Sequence, residues 1–110
     1  MNDHTVLQIH PIQLKERLDR GDDIFLLDVR ETWEHHTARI EGGYLIPLGE
    51  LIERTQELMA EEEIVVMCHH GIRSMEGAHL LKESGFDKVH NLVGGIDAWS
   101  QLVDPNVPRY

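Results

Sequence analysis

The 110 residues, 41% apolar and 27% charged, suffice for one hydrophobic core. No apolar run approaches the ~20 residues that a membrane-spanning helix needs. A formal net charge of −10 without a Lys/Arg cluster excludes a nucleic-acid footprint, and a single cysteine offers no disulfide framework. Met1-Asn2-Asp3-His4 carries neither a basic stretch nor an apolar signal core, so the expected compartment is the cytoplasm.

In chain order, residues 5–9 read as a short strand, and Pro11 opens a helix that carries Leu14 and Leu18 and stops at Gly21. Residues 24–29 form a second strand, 33–36 a helical turn, and 44–46 a further strand. Leu51, Ile52, Thr55, Leu58 and Met59 trace one face of a helix. The acidic turn Glu61-Glu62-Glu63 then precedes Ile64-Val65-Val66-Met67, an uncharged, β-branched run that reads as a buried strand ending at Cys68. Met75, Ala78 and Leu81 recur at steps of three and predict a helix that begins near Ser74, a good N-cap, and ends at Gly85. A last strand covers 89–93, Ile96, Trp99 and Leu102 lie on a final helix, and 104–110, with Pro105 and Pro108, reads as an irregular tail. Strands alternating with helices predict one α/β domain over residues 1–110, a parallel sheet covered on both faces. In such sheets ligands collect beyond the carboxyl ends of the strands, where Asp28 and Cys68 both lie.

The chemistry is expected in Cys68-His69-His70-Gly71-Ile72-Arg73-Ser74. A cysteine between a strand and a helix faces the N–H groups and positive dipole end of that helix, which favour a thiolate. The six residues from Cys68 to Arg73 are expected to curl into a bowl with the sulfur at its floor and a cation on its rim, and Gly71 allows a positive φ or a close approach by a ligand. His69 and His70 add donors. No metal is expected there, because adjacent residues project in different directions and no CxxC or HxxxH pair accompanies them. His35 and His36 read as a solvated helical face, and Asp28 and Arg30 as part of a structural ion pair with the region of Glu31, Glu34 or Glu41. Trp33 and Trp99 read as core or pocket wall.

Four segments in order resemble the rhodanese-like sulfurtransferase family over nearly the whole chain. They are Ile24-Phe25-Leu26-Leu27-Asp28-Val29-Arg30-Glu31 followed by Trp33-Glu34, Arg39-Ile40-Glu41-Gly42-Gly43-Tyr44-Leu45-Ile46-Pro47, the Cys68 loop, and Asn91-Leu92-Val93-Gly94-Gly95-Ile96-Asp97-Ala98-Trp99. Ala38, Arg39, Glu41 and Gly43 depart from the family's usual residues. The resemblance implies a three-layer fold with a central parallel sheet of five strands, and places Gly94-Gly95 in a turn near the active-site rim. It implies that Cys68 is the nucleophile, with His69, His70, Gly71, Ile72 and Arg73 lining the substrate. The implied reaction takes a sulfane sulfur from a small anion such as thiosulfate through a Cys68 persulfide, without a cofactor, to cyanide, a thiol or a protein. Two alternatives stay open: a sulfur-relay module serving one protein partner, and a phosphatase or arsenate reductase of the Cys-loop-Arg type. Four residues separate Cys68 from Arg73, one fewer than in the related dual-specificity phosphatases, and a tighter bowl suits a single sulfur better than a phosphoryl group.

Overall fold

The run Ile64-Val65-Val66-Met67 occupies the centre of the sheet because it is apolar on both faces. In the computed structural model, which describes residues 5–110, it belongs to strand β4 (Glu63–Met67). The N-terminal four residues, read above for a leader, lie outside the described residues. The other strands are β1 (Leu7–Ile9), β2 (Ile24–Asp28), β3 (Tyr44–Leu45) and β5 (Val89–Leu92). Their spatial order is β1-β5-β4-β2-β3, and every pair is parallel.

Helices α1 (Pro11–Asp19), α2 (Thr32–Thr37), α3 (Ile72–Glu83) and α4 (Gly95–Leu102) complete the alternation. Successive β4 residues feed two separate cores, as a period of two dictates. Ile64 and Val66 meet Ala78 and Leu81 of α3 on one face, whereas Val65 and Met67 meet Leu14 of α1 and Ile96 and Trp99 of α4 on the other. Each fully buried aliphatic side chain of this kind contributes about 1.5–3 kcal/mol. The three-layer parallel architecture expected from the sequence is present.

Three local expectations are corrected. Residues 51–59 do not form one α-helix. Leu48–Glu50 and Ile52–Glu57 are 3-10 segments, and the second is itself kinked at Arg54, where φ is −119° and ψ 16°. Tighter winding carries Ile52 into solvent, and Met59, beyond the segment's end, is exposed as well, while Leu51 and Leu58 stay buried. Leu102 also faces solvent, because α4 ends there and Val103 takes the place against the core. Finally, α3 starts at Ile72, not at Ser74. Gly71, at φ +97°, turns the chain straight from the loop into the helix, and Ser74 is thereby drawn inside, fully buried.

The carboxyl ends of the central strands lie side by side: Asp28 pairs with Met67, and Val66 with Asn91. Cys68 therefore emerges between Asp28 and Asn91.

Candidate active site

Cys68 is 1% exposed, at the floor of the short loop joining β4 to α3. Two backbone N–H groups point at its Sγ, Gly71 at 3.1 Å and Ser74 at 3.3 Å. Both come from the start of α3, where the helix dipole adds positive potential. Among the described residues, the N–H groups of His70, Ile72 and Arg73 donate to no protein group. The loop's outer shape is held by α4, whose Ile96 and Asp97 N–H groups donate to the carbonyls of Cys68 (2.9 Å) and His69 (3.1 Å). This approach requires glycine at 95: a Cβ there would stand 2.5 Å from both carbonyl oxygens, and φ is +61°. Gly94-Gly95 is thus a turn that lets one helix grip the loop.

Below the sulfur lie two polar side chains buried in the core. Ser74 Oγ sits 3.3 Å from Cys68 Sγ and donates to Asn91 Oδ1, a short contact. Asn91 Nδ2 donates to Gln8 Oε1 at 2.9 Å, and Gln8 Nε2 to Met75 Sδ at 3.0 Å.

On the other side, Arg73 does not stand as an unpaired cation facing the sulfur. Its two terminal nitrogens donate to the two carboxylate oxygens of Glu34, at 2.6 and 2.8 Å. Glu34 is 3% exposed, and its capping role at the start of α2 fixes it there: it accepts the Glu31 N–H at 3.0 Å. The Arg73 hydrogen bonds hold the Glu34 carboxyl at about 2, well below its ordinary value. Tyr110 donates its hydroxyl to Glu34 at 2.7 Å and accepts from Arg30 at 2.9 Å.

Arg30 is wholly buried, and each of its five N–H donors finds an acceptor. Asp28 takes two, at 2.9 and 2.8 Å, and the Ala38 carbonyl, the Glu34 carbonyl and the Tyr110 hydroxyl take the rest. The expected ion pair thus lies mainly between Asp28 and Arg30 themselves, not with Glu31 or Glu41. Two carboxylates and two guanidiniums form a neutral quartet.

The histidine expectations change as well. His35 is not on a solvated face, because its Nδ1 lies 2.9 Å from Asp28 Oδ2, while His36 is exposed. His69 and His70 do not diverge: their rings stack at 3.9 Å, and the Tyr110 ring stacks on His69 at 3.9 Å and 6°. Burial, with His70 beside it, lowers the His69 pKa. His69, His70 and Asp97 bring donor atoms within 4.8 Å of one another, although Asp97 already accepts from Arg109 and Gln101, each at 2.9 Å. Ile72 projects outward, 81% exposed, and Trp33, expected in the core or pocket wall, is 62% exposed and meets the Tyr110 ring in a T-shaped contact. Trp99 is buried as expected.

Sequence reading missed the roles of Ser74 and Asn91 beside Cys68, of Glu34 on Arg73 and of Tyr110. Ser74, Asn91 and Glu34 carried a signal, as polar residues within apolar or motif segments. Tyr110 carried none, because its place depends on how the tail returns over the loop.

Residues 10–102 match the family model described as Rhodanese-like domain. The chain belongs to this family. Similar to this rhodanese-like chain is YtwF of Bacillus subtilis, provisionally named a sulfurtransferase, 33% identical over 91% of the chain and 96% of YtwF. YrkF of the same organism, provisionally named a sulfur carrier protein, is 38% identical over 90% of the chain, which spans only 54% of YrkF's length. Among solved structures, the rhodanese-related protein of Thermoplasma volcanium superposes with a TM-score of 0.82 at 29% identity, covering 94% of this chain and 99% of that one. No helix of the described residues is long and apolar enough to cross a membrane.

Proposed function

We propose that this rhodanese-like chain is one sulfurtransferase domain whose nucleophile and sulfur carrier is Cys68. The observation that carries this reading is the pair of N–H donors from Gly71 and Ser74 on the Cys68 sulfur, at the positive end of α3. In the first step the Cys68 thiolate attacks the sulfane sulfur of a donor such as thiosulfate. The donor's S–S bond breaks, sulfite leaves with the electron pair, and a Cys68 persulfide anion remains. An acceptor nucleophile (cyanide, a thiol or a protein thiol) then attacks the outer sulfur and releases the Cys68 thiolate. No metal or organic cofactor enters either step. The free N–H groups of His70, Ile72 and Arg73 suit the oxyanion of the donor and afterwards the persulfide charge. Because the sequence holds no second cysteine, the outer sulfur goes to an external acceptor. A cysteine outside any disulfide suits a reducing compartment such as the cytoplasm.

The pairing of Arg73 with Glu34 supports a second reading within the same chemistry. A guanidinium already neutralised, on a chain of net charge −10, attracts a small dianion weakly, so a persulfide delivered by a protein partner is the better donor.

The test is Cys68→Ser, a nearly isosteric change. Thiosulfate-to-cyanide transfer by the wild-type chain is expected to vanish in the folded variant. Retained turnover overturns the assignment, and wild-type hydrolysis of aryl phosphates faster than sulfur movement moves the chain to the phosphatase reading.

A further inference from the structure

Among the described residues, His69, His70 and Asp97 form the one cluster of histidine, cysteine or carboxylate side chains whose ligand atoms lie close enough to share a metal ion. The sequence argument against a metal was that neighbouring histidines project apart. In the fold they do not: Gly95 lets α4 press against the loop, the two imidazoles stack at 3.9 Å, and each brings a nitrogen to Asp97 in the first turn of α4.

Two further observations point to a ligand. His69 Nε2 is buried and makes no hydrogen bond, a cost that no protein group offsets. His70 Nε2 lies 3.8 Å from Asp97 Oδ2, too far for a hydrogen bond and near the ~3.4 Å that two ligands on one tetrahedral ion take with bonds of about 2.1 Å. Asp97 keeps a lone pair for such an ion. Arg109 Nε donates to its Oδ1 at 2.9 Å, Arg109 Nη2 reaches Oδ2 at 3.4 Å, and Gln101 Nε2 donates to Oδ2 at 2.9 Å, which uses three of a carboxylate's roughly four acceptor sites. The same donors fix how the carboxylate faces the histidines, as outer partners of ligating carboxylates do.

We propose that His69, His70 and Asp97 bind a divalent cation of the zinc class at the edge of the Cys68 loop, with Cys68 itself outside the coordination. Two imidazoles and a carboxylate suit zinc and its first-row neighbours, whereas magnesium and calcium take oxygen ligands. The three ligand atoms lie within 4.8 Å of one another, and ligands on one zinc lie no more than about 4.4 Å apart, twice a bond of about 2.2 Å. A small swing of the exposed His70 ring closes that gap. The fourth position is left to water. Bound there, the ion satisfies His69 Nε2 and adds a third tie between loop and α4, beside the Ile96 and Asp97 N–H groups on the Cys68 and His69 carbonyls. It is a reactant in neither step of sulfur transfer, and the site does not depend on that reading.

The experiment is calorimetric titration of the intact, reduced, chelator-treated chain with zinc chloride. One saturable site is expected, unchanged by an excess of magnesium. His70→Ala and Asp97→Asn each remove a ligand and are expected to weaken binding by about 10- to 100-fold, a loss that even an outer partner of a ligand commands. Cys68→Ser is expected to bind zinc as the wild type does, and so is His79→Ala, an exposed histidine of α3 outside the cluster. Because the ion binds the folded chain, zinc should also raise the thermal midpoint of the wild type and of Cys68→Ser, and raise that of Asp97→Asn less.

A wild-type chain without a saturable site overturns the proposal, as does undiminished binding by His70→Ala or competition by magnesium. Loss of the site in Cys68→Ser makes the thiol the ligand and overturns it equally. Should Asp97→Asn fail to fold, His70→Ala decides from an exposed position. Zinc binding needs no sulfur donor, so failure here is distinct from failure of the sulfurtransferase reading, which the thiosulfate assay tests.

Discussion

The two ends of the sheet carry the same ionic chemistry in opposite surroundings. At the amino end, Arg17 grips Glu63 with both terminal nitrogens and Asp22 with Nε, and His90 lies 2.7 Å from the same Glu63. The Arg17 and Glu63 side chains there are 26% and 20% exposed. At the carboxyl end, Arg30 and Asp28 are 0% and 1% exposed, and Glu34 completes the quartet with Arg73. The first cluster braces a rim beside water. The second pays a desolvation penalty that its mutual attraction does little more than offset, so net stability does not explain it. What it does is lock α2, the tail and the start of α3 around the Cys68 loop. Position, not stability, is the product of the buried cluster.

Breaking the buried cluster from within has the largest expected effect. Arg30→Ala strands the Asp28 carboxylate and empties five hydrogen bonds, and is expected to remove about 3–5 kcal/mol of stability in urea unfolding. A loss below about 1 kcal/mol would mean that the quartet is no more than a surface feature.

Glu34→Gln keeps the shape and removes one charge, with an expected loss of about 1–3 kcal/mol at neutral pH. The folded Glu34 carboxyl, held down at about 2 by Arg73, contributes its stability in full above the ordinary value near 4.5 and loses it as the pH falls toward about 2. The gap between wild type and Glu34→Gln is therefore expected to close over that window in acid-unfolding curves. A gap that widens as acid is added contradicts the pairing.

The smallest effect belongs to the amino end. Glu63→Gln should lose about 1 kcal/mol or less, and the loss should shrink in high salt, because water and ions already reach the pair. The Arg30→Ala loss should hardly respond to salt. Equal losses at the two ends would dissolve the contrast.

The difference between the ends also explains what could be read from the sequence. Apolar periodicity made β4, α3 and α4 legible, since Val65 and Val66 must be buried on opposite faces whatever surrounds them. The strand-to-helix geometry of the Cys68 loop was legible because it is local: strand end, Gly71 and helix start are contiguous. The Glu34 grip on Arg73 spans 39 positions, and the Tyr110 contact with Arg30 spans 80, so no local pattern announces either. Ser74 misled for the opposite reason. Its N-cap propensity is real, but Gly71 starts the helix earlier and leaves the hydroxyl to Cys68 and Asn91. Between residues 51 and 59, a helical spacing of apolar residues proved compatible with 3-10 winding because only Leu51 and Leu58 are needed by the core.

The central claim is that Cys68 carries sulfur. Mass spectrometry of the intact wild-type chain after exposure to thiosulfate tests it most directly. The account predicts a gain of one sulfur atom, located on Cys68, lost again on addition of cyanide and absent from Cys68→Ser. A wild-type chain that gains no sulfur from thiosulfate or from a protein persulfide, or one whose Cys68→Ser variant gains it equally, would contradict the account.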